Sequence, residues 1–336
     1  MKRYKQLTSY LWLFCLLFCL PTLSLAQKTT LKFDAEGNFK IVQLTDIHYI
    51  YQNESSQQAL ARILKLIIDE EPDLILLTGD QIYGNPGDKS FLTVMYAISS
   101  CEIPFAFTFG NHDDEYGFTK NELVTLTQKI PYNLTKKSKK MSGVTNYTLE
   151  IESKENKSTA QVIYVFDSHS YSQLDGVKGY DYIKSDQIAW YKEQSNKFTK
   201  KNKNKPIPSL AFFHIPTPEF KTATLLKRKE LQGNYKEEVC SPLLNSGLFT
   251  AMKEQKDVRG VFVGHDHDND FIVDWQGILL AYGRYSGGNT VYNNLGENGI
   301  RVIELKEGQV DFTTRVATLQ GTHRRYHYPL DFRTTE

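Results

Sequence analysis

The chain has 336 residues, 40% of them hydrophobic and 24% charged, an ordinary globular composition with enough length for one large α/β domain or two small ones. A formal net charge of +1 provides no global field for a nucleic-acid partner, and no nucleic-acid-binding signature is present. Four cysteines, of which Cys15 and Cys19 lie near the start, exclude a thiolate-rich metal cage.

The chain begins with Lys2, Arg3 and Lys5, continues in an unbroken apolar run from Leu11 to Leu20, and meets Pro21 before the small residues Ser24 and Ala26. That order predicts a secretory signal peptide over residues 1–26, with Gln27 as the mature N-terminus and a secreted or periplasmic product. The apolar run is well short of the roughly 20 residues that cross a bilayer, and no later stretch is apolar enough, so no stable membrane span is expected after cleavage. Only Cys101 and Cys240 then remain, and they read equally well as a disulfide or as free thiols.

Residues 27–336 read as a single domain in which strands alternate with helices. Lys40 to Leu44 is expected as a strand ending at Thr45-Asp46. Ser55-Ser56 can open a helix whose Leu60, Ile63, Leu64, Ile67 and Ile68 recur at helical spacing, with Pro72 ending it. Leu74 to Leu77 predicts a buried strand, Phe91 to Ser99 a helix, and Pro104 to Phe109 a further strand. Thr119 and Glu122 form a capping box for a helix running to Ile130. Val144 to Glu152 and Gln161 to Phe166 read as strands, Ser185 to about Phe198 as a helix, and Ser209 to Phe213 as a strand. A helix near Gly247 to Lys256 and a strand from Val258 to Val263 complete the alternation. From Phe271 onward short apolar runs alternate with turn residues, as in a second, largely β sheet, and His323 and His327 read as part of a tail.

The ends of these strands carry the chemistry. Asp46-Ile47-His48, Gly79-Asp80, Gly110-Asn111-His112-Asp113, His214, and Gly264-His265-Asp266-His267 each follow a predicted strand. The carboxyl ends of strands in an open α/β sheet converge on one crevice, so five such clusters in phase point to one site. Hydrolysis of a phosphate ester needs a strong nucleophile at neutral pH and compensation for phosphoryl charge. Two metal ions supply both, and a bridging carboxylate holds them together. Carboxylate and imidazole donors suit iron, manganese or zinc.

The five blocks, in order from about residue 38 to 316, resemble the calcineurin-like metallophosphoesterase family. The resemblance implies an α/β fold of two mixed β-sheets packed as a sandwich flanked by helices. It implies a two-metal hydrolase that attacks phosphate esters with a metal-bound hydroxide. Asp46, His48 and His267 would hold one ion, Asn111, His214 and His265 the other, and Asp80 would bridge them. His112 would polarise the phosphate or protonate the leaving oxygen, with Asp113 orienting and charge-stabilising it. Gly110 to Glu115, Phe212 to Pro216, Ser241 to Phe249, Gly264 to Phe271 and Tyr282-Gly283-Arg284 are similar to the purple-acid-phosphatase-related branch that lacks an extra N-terminal β domain. Members that bind ferric iron through a tyrosine at the position of Tyr83 carry glycine where this chain has His48, so Tyr83 is expected to pack beside the site.

Two further residues carry open readings. Arg284 either grips a substrate phosphate or forms a structural ion pair, while His169 reads as a surface-loop histidine. The alternative to an enzyme is a catalytically silent protein that keeps the fold to bind a phosphorylated ligand. Amide or lactam hydrolysis lacks its usual His-x-His-x-Asp-His cluster, and no phosphate-cradling or serine-elbow motif is present.

Overall fold

A strand buried on both faces needs continuous apolar sequence, and Leu74 to Thr78 is buried at every position. The computed structural model describes residues 30–323 and 325–330; the segment 1–26 read as a signal peptide lies outside them. The first half contains β1 (Leu31–Lys32), β2 (Asn38–Leu44), α1 (Glu54–Glu70), β3 (Leu74–Thr78), α2 (Gly87–Ser99), β4 (Phe105–Thr108), α3 (Lys120–Leu126), β5 (Tyr147–Glu152) and β6 (Thr159–Val165). The second contains α4 (Ser185–Lys201), β7 (Ser209–Phe212), α5 (Pro218–Leu226), α6 (Leu248–Gln255), β8 (Val258–Val263) and β9 (Ile272–Trp275). It closes with β10 (Ile278–Tyr282), β11 (Gly299–Lys306), β12 (Phe312–Thr318), β13 (Gly321–Thr322) and β14 (Tyr326–Tyr328).

These strands make two mixed sheets. One runs β13-β12-β11-β2-β3-β4, with β14 paired to β12, and the other runs β1-β5-β6-β7-β8-β10-β9. The period of two along each strand sorts side chains between layers. Leu74 and Leu76 of β3 face the inter-sheet core with Ile41, Ile163, Phe212 and Phe262. Ile75 and Leu77 face the other way, against Ile63 and Ile67 of α1 and Phe91 and Met95 of α2. The second sheet is covered likewise by Tyr191 and Phe198 of α4, Phe220 of α5 and Met252 of α6. The result is the helix–sheet–sheet–helix sandwich expected.

Several local expectations change. The C-terminal strands do not form a sheet of their own: β9 and β10 extend the β5–β8 sheet, whereas β11 pairs antiparallel with β2. The presumed tail contributes β14, whose Tyr328 pairs with Phe312 and stacks on its ring at 5.0 Å. The β11–β2 pairing sets Arg301 against Gln43, far apart in sequence, and leaves no local periodic signal. The helix α5, opened by Pro218 at its first turn, was not anticipated, and α3 stops at Leu126 instead of Ile130. The Thr119–Glu122 capping box is present, but α1 is capped by Asn53, whose Oδ1 accepts from the Ser56 N–H.

Parallel pairing of β2, β3 and β4, and of β7 with β8, brings the carboxyl ends of these strands to one edge of the sandwich. Every block singled out in the sequence leaves from that edge. The two sheets must hold their spacing for the edge to hold its shape, and Phe212 on Phe262, stacked at 5.0 Å, sits between them. Phe212→Ala is expected to cost about 3–5 kcal/mol of folding stability, read by chemical denaturation.

Candidate metal centre

The loops after β2 and β3 are laced together. The Asp46 N–H donates to the Gly79 carbonyl at 3.1 Å and the His48 N–H to the Asp80 carbonyl at 3.0 Å. To aim side chains inward from these tight turns, Asp46 (φ 54°), His48 (φ 47°), Asp80 (φ 52°) and His265 (φ 83°) all adopt the left-handed backbone region. That conformation is uncommon for residues with a Cβ, and clusters of it mark sites held by surrounding structure. Two glycines make the approach possible. A Cβ on Gly110 would stand 2.0 Å from Asp80 Oδ1, and one on Gly264 1.9 Å from Thr45 Oγ1.

Seven predicted donors converge. Asp46, His48 and His267 form one buried group and Asp80, His214 and His265 another, each with its ligand atoms within 4.8 Å of one another. The His48 and His267 Nε2 atoms face each other at 3.0 Å, with Asp46 Oδ1 3.9 Å and 3.7 Å from them. Asp80 Oδ2 lies 3.1 Å from His214 Nε2 and 3.7 Å from His48 Nε2, between the two groups. Asn111 Oδ1 joins the second group, 3.2 Å from His214 Nε2. Backbone carbonyls fix two rings: His214 Nδ1 donates to Thr78 O at 2.8 Å and His267 Nδ1 to Tyr292 O at 2.9 Å. In each case Nε2 is left as the inward donor atom, as outer partners do for metal-binding imidazoles.

Burial makes the ionisation states interdependent. Burial opposes the Asp80 carboxylate, but His214, by charge and hydrogen bond, and His48 hold its pKa well below the usual carboxylate range. Burial likewise opposes the His214 imidazolium, yet Asp80 and Asp46 lift it to about 9. Burial pushes His48 and His265 well below the ordinary histidine value, leaving neutral rings able to donate a lone pair. Within this cluster His265 Nε2, His48 Nδ1 and Asn111 Nδ2 are buried without a hydrogen bond. Unsatisfied polar atoms at such a density call for a ligand.

His112 lies beside the donors but pairs differently from the expectation. Its Nδ1 meets Glu115 Oε2 at 2.6 Å, and its ring stands edge-on to those of His48 and Tyr83. Asp113 does not orient it. The Asp113 carboxylate is buried and accepts backbone N–H groups from Gly110, Asp80, Gln81 and Ile82 at 2.8–3.3 Å. The chain bends through His112 and turns at Asp113, so the carboxylate next to His112 in sequence faces the backbone of the loop after β3 and Glu115, in the following turn, takes its place at the ring. Burial and the Asp80 charge push Asp113 up to about 7, with the Gly110 N–H working against them.

Arg284 also departs from the substrate role. It is buried, with Nη1 on Asp270 Oδ2 at 2.5 Å, Nε on the Glu297 carbonyl at 2.8 Å, and Nη2 on the Glu297 and Leu295 carbonyls. Its donors are committed to the fold, and the ion-pair reading is the one realised. Tyr83 packs edge-on to His48 at 5.1 Å and His112 at 5.1 Å. His169 is held by Gln187 at 2.8 Å, away from the donor cluster. Cys101 and Cys240 are both free. The sequence reading missed Tyr292 and Glu237 and gave Glu115 no role of its own. Only Glu115 had a local signal, three residues after a histidine and therefore within reach across one turn.

A family model described as calcineurin-like phosphoesterase matches residues 39–269. The probable inactive purple acid phosphatases 14 and 29 of Arabidopsis thaliana are each 32% identical to the chain. They align over 84% and 86% of it and over 78% and 81% of their own lengths. Phosphatase DCR2 of Saccharomyces cerevisiae is 33% identical over 70% of the chain and 45% of its own length. Among solved structures, a dimetal phosphatase from Danio rerio superposes with a TM-score of 0.57 at 13% identity, over 86% of this chain and 98% of that one.

Removing Arg284 would leave Asp270 as an unpaired buried charge. Arg284→Ala is therefore expected to lower stability by about 3–5 kcal/mol, measured by urea denaturation. A variant of unchanged stability that had lost only phosphate affinity would restore the substrate role.

Proposed function

Because this chain belongs to the calcineurin-like phosphoesterase family, we propose that it hydrolyses phosphate esters with two metal ions. Asp46, His48 and His267 hold one, Asn111, His214 and His265 the other, and Asp80 lies between. The crowding of the donors carries the reading. Ligands about 2.0–2.1 Å from one ion stand roughly 3 Å from each other, and the facing Nε2 atoms of His48 and His267 are 3.0 Å apart. An oxygen and nitrogen donor set fits iron, manganese or zinc. When bound, the ions would acidify a water and offset the charge of the phosphoryl oxygens.

The chain's own residues supply the rest. Asp113 holds the backbone on which Asp80 and Asn111 are mounted, and the His112 N–H adds a bond to Asp80 Oδ1 at 2.9 Å. Glu115 occupies His112 Nδ1, which frees Nε2 to meet a substrate oxygen. As an imidazolium, His112 would pass its Nε2 proton to the departing alkoxide, completing the alcohol. The silent-binding alternative draws support from the names of the Arabidopsis relatives, which call them probably inactive.

We read the protein as exported, on the pattern of residues 1–26. Among the described residues no helix is long and apolar enough to cross a membrane. N-terminal sequencing of the protein recovered outside the cytoplasm should begin at Gln27; retention of Met1 would refute cleavage.

His112→Ala separates the two functional readings. Purified protein loaded with manganese or zinc should turn over phosphate esters. The variant should keep both metal equivalents while losing about 10²–10⁴-fold in turnover, most for esters with poor leaving groups. Wild-type protein that holds metal and inorganic phosphate but turns over no ester would favour silent binding. Loss of metal from the variant would make His112 a ligand.

A further inference from the structure

Tyrosines flank the outer imidazoles of the centre. On the His265 side, the Tyr180 ring stands edge-on to His265 at 4.2 Å and is stacked on Tyr171 at 5.6 Å. An antiparallel bridge between Tyr171 and Tyr180 closes the intervening loop, so the two rings are presented together. On the His267 side, Tyr292 is stacked on His267 at 4.5 Å, and its hydroxyl donates to Glu237 at 2.5 Å. Tyr83 and Tyr116, with centroids 5.9 Å apart, continue the wall beyond His112.

Tyr171 and Tyr292 nevertheless remain 44% and 51% exposed. Tyr171 is anchored by its stack on Tyr180, and Tyr292 by its stack on His267 and its hydroxyl bond to Glu237, while much of each ring's surface meets solvent. A fixed aromatic ring beside a reacting centre is a stacking surface, since aromatic pairs favour offset-stacked or edge contacts beyond simple area burial. Two such rings over opposite ends of one donor cluster grip a flat group better than a flexible aliphatic one.

We propose that Tyr171 and Tyr292 form an aromatic collar that selects phosphate esters whose leaving group carries an aromatic ring. The selection rests on the hydrolytic reading above, whereas the stacking itself does not require turnover.

Benzyl phosphate and cyclohexylmethyl phosphate test it, because both are esters of primary alcohols of similar bulk and differ in the ring. The wild-type holoenzyme should favour the benzyl ester in kcat/KM by about tenfold, and each of Tyr171→Leu and Tyr292→Leu should remove roughly threefold of that preference. The cyclohexylmethyl ester should be little affected, and metal content should not change. Calorimetry with benzylphosphonate and cyclohexylmethylphosphonate supplies a readout independent of catalysis, and the same order of affinity is expected. Equal affinities in the wild type, or a preference surviving the double variant, would overturn the collar. Selective binding of benzylphosphonate without hydrolysis of either ester would sustain the collar and reject the hydrolytic reading.

Discussion

The arrangement of the centre depends on one buried carboxylate that touches none of the chemistry. Asp113 accepts backbone N–H groups from both the loop after β3 and the loop after β4, locking the segment that carries Asp80 to the segment that carries Asn111 and His112. Charge-assisted bonds of this kind are stronger than those between neutral partners, and several converge on one group. With the loops locked, Asp80 can stand between the two donor groups. The close passage of Gly110 against Asp80, which admits no Cβ, follows from the same lock.

The backbone accepts a local penalty for that geometry. Four of the donor residues sit in the left-handed region, and such positions persist only where surrounding structure over-determines them. Here the surroundings are the inter-sheet core below, the parallel ladders of β2 to β4 and β7 to β8, and the loop-to-loop bonds of Asp46 and His48. Rigidity from the sandwich is thus transmitted to side chains that converge at its edge.

What could be read in the chain follows from how local each signal is. Asp46, Asp80, Asn111, His214 and His265 were legible because each closes a predicted strand, and strand ends share an edge by topology. Asp113 was misassigned because adjacency suggested partnership with His112, although its carboxylate serves the backbone. Glu115 was overlooked because its contact exists only after the chain turns. Arg284 was undecidable, since its partners Asp270 and Glu297 flank it without a recurring pattern. The tyrosines beside the imidazoles come from loops whose paths are set by tertiary structure alone. The C-terminal strands illustrate the same limit: their type was apparent, but their division between the two sheets was not.

The donors have one property as a set: they are shared between the layers. Asp46, Asp80 and Asn111 leave the β2–β4 sheet, while His214, His265 and His267 leave the β7–β8 sheet. An ion held by Asp46, His48 and His267 would therefore be a clasp between halves of the sandwich, closing a loop of chain from residue 46 to 267. Binding of that ion would add to resistance to unfolding by an amount that grows with the logarithm of free ion concentration over its dissociation constant. Metal supply would then govern how long the protein stays folded as well as what it does.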